Sequence, residues 1–204
     1  MQNKRFCCTE GAGFVPDPQS VKRVFGFQSK RSKEEEKAGI QFLASMLVCY
    51  PEISSLSYDP RRSTLTFEFI VRGDYPAARL DAFARLLSES IETYHVVVAD
   101  EEVGANIWVE EITAGQKTVM FHVERDIVTL ERDELTLIAR LFTEHFGKAL
   151  LVDEHSLQKL EEDFATVQSD LLDQMLDQVQ RQEFRFRMHM VGLRENDRVV
   201  VYNR

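Results

Sequence analysis

His122, Glu124 and Asp126 stand two residues apart, and hydrophobic Val119, Phe121 and Val123 hold the alternate positions just before and between them. A strand sends alternate side chains to one side, so the three polar groups share a face. Imidazole and carboxylate are common ligands of divalent metals, and the same pair can serve as general acid and base. The plainer reading is the solvent face of an amphipathic strand. Asp153, Glu154 and His155 offer similar groups ahead of a helix. Adjacent side chains seldom converge on one ion, whereas acidic residues at a helix start complement its dipole. Cys7 and Cys8 could bind metal or cycle between redox states, yet an adjacent pair strains if bridged to itself. No Cys/His cluster lies nearby. Three cysteines without framework spacing fit reduced thiols and a cytoplasmic location.

Basic residues concentrate at the ends. Residues 1–33 carry a net charge of +5, residues 34–180 carry −17, and residues 181–204 carry +3. An acidic body repels nucleic acid at long range. Any contact with RNA, including a ribosome, therefore falls to Lys22, Arg23, Lys30 and Arg31 at one end and Arg185, Arg187, Arg194 and Arg198 at the other. Arginines near aromatics can stack on bases and pair with phosphates. Phe184 and Phe186, however, point away from Arg185 and Arg187 along an extended chain. The simpler expectation is that the basic ends meet acidic surface, either of the same chain or of a partner. Self-association or a protein partner is thus expected, with nucleic acid possible but not favoured.

The motifs that announce a reaction are absent. There is no P-loop, no G-x-G-x-x-G after a strand, no G-x-S-x-G, no H-E-x-x-H and no C-x-x-C. Nine glycines leave little material for a phosphate-cradling loop, and no cofactor is implied. No apolar run approaches the roughly 18 residues that cross a bilayer. Lys4 and Arg5 are followed by no apolar segment of the secretory kind. Neither a membrane partner nor a leader is expected.

The elements that position these residues follow from periodicity. Residues 1–31 lack a sustained pattern and read as a flexible basic tail, with a possible docking segment at Val21–Phe27. Ser32 and Glu35 form a capping box that starts a helix, and Pro51 ends it. Ile53–Tyr58 and Ser63–Arg72 read as a hairpin, in which Leu65, Phe67, Phe69 and Val71 alternate with polar or intervening residues. A helix with Leu80, Phe83, Leu87 and Ile91 on one face follows, then a short strand at His95–Val98. The order recurs: strands at Ala105–Thr113 and Lys117–Val123 about an Ala114–Gln116 turn, a helix over Glu131–Phe146 closed by Gly147, and a short strand at Ala149–Val152. A long helix spans Ser156–Gln182. Two strands, Phe184–Met190 and Arg198–Tyr202, flank a turn at Arg194–Asp197.

At an offset of 55, Leu80, Ala84, Arg85, Leu86 and Glu89 meet Leu135, Ala139, Arg140, Leu141 and Glu144, all identical. With the repeated element order, this points to a duplicated ββα(β) unit over 53–99 and 105–153. Good helix formers alone could also produce the match. The helix and strand order over residues 33–146 is similar to that of the roadblock/profilin-like α/β sandwiches.

The expected fold class is α+β: antiparallel hairpins covered by helices. A tail (1–31) precedes a core (32–155), and a long helix with a terminal hairpin (156–204) packs on that core. The expected function is that of a non-catalytic intracellular interaction or regulatory protein, homodimeric through the long helix or a sheet edge. RNA association through the basic termini and a metal-dependent enzyme centred on His122 are the alternatives.

Overall fold

The computed structural model describes residues 18–99, 102–112, 117–152, 162–181, 186–195 and 198–203. The chain divides between Glu34 and Glu35 into two units. The first helix, α1, runs Pro18–Cys49 and crosses that division. It starts upstream of the Ser32 expected from the capping box. No proline lies between Pro18 and Pro51, and Pro18 itself suits a helix start, so nothing in the backbone forces a start at Ser32.

In the second unit, β1 (Ser55–Asp59), β2 (Thr64–Arg72), α2 (Ala77–Ala99), β3 (Asn106–Ile112), β4 (Thr118–Asp126) and α3 (Arg132–Phe146) follow in order. A 3₁₀ turn at Gly147–Ala149, α4 (Glu162–Gln180), β5 (Met190–Glu195) and β6 (Arg198–Asn203) complete it. The six strands form one antiparallel sheet in the order β3-β4-β2-β1-β5-β6. The fold is α+β, as expected. β2 and β4 are each nine residues long and lie side by side within it.

One face of the sheet makes the core. Leu65, Phe67, Phe69 and Val71 of β2 are buried, as are Val119, Phe121 and Val123 of β4. Phe142 of α3 stacks on Phe69 with ring centroids 3.9 Å apart, and Phe83 of α2 meets Phe121, Phe142 and Phe146 edge-on. Leu43 and Leu47 of α1 lie over Gly192 of β5, where an added Cβ would come within 3.0 Å of Leu47 Cδ1. Any side chain there would require Leu47 to give way, so the glycine lets helix and strand approach closely. Buried Leu172, Met175, Leu176 and Val179 line α4, which bonds to α1 through Ser45–Gln168 and to α3 through Arg132–Ser169. Every described helix contact to the sheet is thus on the same side.

Three local expectations need correction. His95–Val98 is not a strand but the end of α2. Val96–Val98 favour extended chain, yet His95 continues the Leu87, Ile91 stripe into the core and packing overrides propensity. Removing that strand also removes one element from the roadblock/profilin-like order. Ala149–Val152 is a 3₁₀ turn followed by a single bridge, Val71 to Leu150. Within the described residues the penultimate strand begins at Met190, and Phe186, expected to lie in it, packs in the core against Phe42 and Tyr58. The turns at 113–116 and 196–197, and the start of the long helix at 156–161, lie outside the described residues.

Candidate functional site

The register across the sheet places side chains of the second face in rows. One row reads Trp108, His122, Glu68, Ser55, Leu193, Val200 from β3 to β6. The next reads Asn106, Glu124, Thr66, Ser57, Val191, Tyr202. On the other side of the first row, Glu110, Met120 and Ile70 stand together. Among the described residues no helix packs on this face. It mixes acidic groups toward β3 with apolar ones toward β6, and Trp108 and Tyr202 are exposed on it.

His122, Glu124 and Asp126 do share this face. Each, however, is engaged separately. Glu124 accepts two hydrogen bonds from the Arg62 guanidinium, both at 2.7 Å. Asp126 accepts from the Val128 amide at 2.7 Å, a turn-capping bond. His122 instead lies flat against Trp108, centroids 4.8 Å apart and planes 6° apart. Its Nδ1 is 3.5 Å from Glu68 Oε1 and its Nε2 is 3.5 Å from Glu110 Oε2. Cross-strand neighbours, not residues along one strand, therefore surround the imidazole. Among the described residues no three His, Cys, Asp or Glu side chains are arranged to hold a metal ion.

The basic residues scatter. Arg194 donates to the carbonyls of Leu47, Tyr50 and Ile53, where α1 ends. A cation suits that negative helix end. Arg187 pairs with Glu35 at 3.2 Å, and Arg198 sits exposed opposite Glu195 on the edge strand. Lys22, Arg23, Lys30 and Arg31 lie on the α1 backbone, with side chains outside the described residues. Cys7, Cys8, Asp153, Glu154, His155 and Arg185 are outside them as well.

A second polar cluster escaped the sequence reading. Arg125, Glu134 and His95 are all but fully buried on the core side. Arg125 grips both oxygens of Glu134, one through Nε and the other through Nη2 at 3.0 Å. His95 Nε2 is 2.8 Å from Glu134 Oε2, and Arg125 Nη1 donates to the Gly104 carbonyl at 2.7 Å. The signal was phase: Arg125 continues Val119, Phe121, Val123, while His95 continues Leu87, Ile91. A charge at a core position implies a buried partner. Buried as it is, this cluster holds α2, β4 and α3 together. Nearby, Tyr94 donates to Glu131 at 2.6 Å. Partial burial, reinforced by that bond, pushes its phenol well above the ordinary 10.0.

No protein-family model matches the chain, and no curated protein or solved structure does. No described helix is long and apolar enough to cross a membrane.

Proposed function

We propose that this is a non-catalytic interaction protein of the cell interior that meets a protein partner with the bare face of its sheet. One observation carries the reading: the described helices all pack on one side, leaving Trp108, Met120, Ile70, Leu193, Val200 and Tyr202 on the other. Six strands of about seven residues give that face roughly 700 Å², close to the roughly 800 Å² each side contributes to a standard interface. Trp108 and Tyr202 are exposed and the other four are half-buried, and apolar side chains left uncovered on a surface favour a contact role. A photo-cross-linking residue at Val200 is expected to yield a discrete adduct in expressing cells, and one at exposed Arg140 on α3 none. Adducts from both sites alike, or from neither, would count against the reading.

Self-association has a separate supporting observation. Leu86, Ser90, Thr93 and Val97 step along α2 by 4, 3 and 4, a spacing that is its own mirror. Leu86 and Val97 are 44% and 76% exposed. Ser90 and Thr93 bond the carbonyls of Leu86 and Glu89, so their hydroxyls need no water. A twofold partner would set Leu86 against Val97 and small residues against each other at the centre. Light scattering after gel filtration is expected to give about twice the 23.6 kDa chain mass, and the chain mass for Val97→Glu. The side-by-side nine-residue strands and the shared helix residues also support reading the two ββα runs as copies of one unit.

A further inference from the structure

The acidic end of the bare face has a defined chemistry. His122 is 8% exposed, and among the described residues its Nε2 makes no hydrogen bond. Glu68 and Glu110 flank its two nitrogens at 3.5 Å, too long for strong bonds. Glu124 is neutralised by Arg62, whereas among the described residues no lysine or arginine pairs with Glu68 or Glu110. Glu110 is 67% exposed at its side chain, and Trp108 is 40% exposed beside it. Met120 and Ile70 lie directly across from Glu110 in the same row.

These groups form a set: two carboxylates short of a cation, an indole at the rim, and an aliphatic floor. We propose that this corner of the face receives an arginine side chain from a basic protein segment, which rests on the bare-face reading above. The guanidinium binds Glu110 and Glu68, its plane lies along Trp108, and its methylene stem covers Met120 and Ile70. Arginine suits the site better than lysine, because a planar fork can serve a carboxylate and an aromatic edge together.

Trp108 is the single tryptophan of the chain, so intrinsic fluorescence reads this corner alone. Titrating the full chain at low salt with acetylated, amidated tetra-arginine is expected to change Trp108 emission saturably. The neutral tetra-citrulline peptide is expected to have no effect, and tetra-lysine to bind more weakly. Glu110→Gln is expected to weaken binding about tenfold, the loss of one charge-assisted contact. Glu111→Gln, an equal charge change one residue along and on the opposite side of β3, is expected to leave it unchanged. No emission change up to millimolar peptide would overturn the proposal, as would equal weakening by the two substitutions or equal affinity for lysine and arginine. Circular dichroism of both variants confirms that the fold is retained. If the peptide fails while the Val200 cross-link succeeds, the face binds a partner but the arginine assignment is wrong.

Discussion

Arg125, Glu134 and His95 bring charge into a core otherwise made of aromatic and aliphatic side chains. Desolvation of the paired charges roughly cancels their attraction, but removing one partner leaves an uncompensated buried charge. Glu134→Ala leaves the Arg125 guanidinium buried without its carboxylate, and is expected to lower unfolding free energy in urea by about 3–5 kcal/mol. The pair Arg125→Met with Glu134→Leu removes both charges and is expected to cost much less than the two single changes added together. Tyr94 gives a pH signature. Its folded pKa lies above the unfolded 10.0, so its contribution is complete below pH 10 and is lost as pH rises beyond it. Tyr94→Phe is therefore expected to lower stability by about 1 kcal/mol at pH 7, with the difference from wild type shrinking in alkaline unfolding experiments. At this scale the sequence was only partly legible. The alternation that placed His122 and Glu124 on one face is a property of one strand and was readable. The neighbours that decide what His122 does, Trp108, Glu68 and Glu110, come from two other strands whose register no single-strand pattern contains.

Elements were read better than residues because each carries its own period. Leu65 to Val71 and Val119 to Val123 announced the two longest strands, and the stripes of α2 and α3 announced their buried faces. Misreadings occurred at ends, where a few residues meet a decision made by tertiary contacts. Val96–Val98 favour extended chain, but His95 is drawn to Glu134 and carries the helix onward. Arg194, expected in a turn, lies in β5 instead, and its guanidinium ties that strand to the end of α1. Arg194→Ala is expected to cost about 1.5–3 kcal/mol, the range for hydrogen bonds from a charged group, read as a lower urea midpoint with unchanged slope. Gly192→Val is expected to destabilise by about 1–3 kcal/mol through overpacking against Leu47.

On the scale of the whole molecule, sequence could predict that hairpins and helices would join, but not on which side. Element order is the same whether helices cover one face of a sheet or both. That choice leaves the second face of the six-stranded sheet bare among the described residues, and it is the premise of the proposed function. That face runs from acidic groups at the β3 side to apolar ones at the β6 side, and a flat surface suits a protein partner better than a small substrate. Hydroxyl-radical footprinting tests this most directly, by comparing the chain in extract of the cells that express it with the purified chain. The account predicts that Trp108, Met120 and Tyr202 are protected in the extract, while exposed His145 on α3 reacts equally in both. Equal modification of Trp108, Met120 and Tyr202 in extract and in purified protein would contradict it.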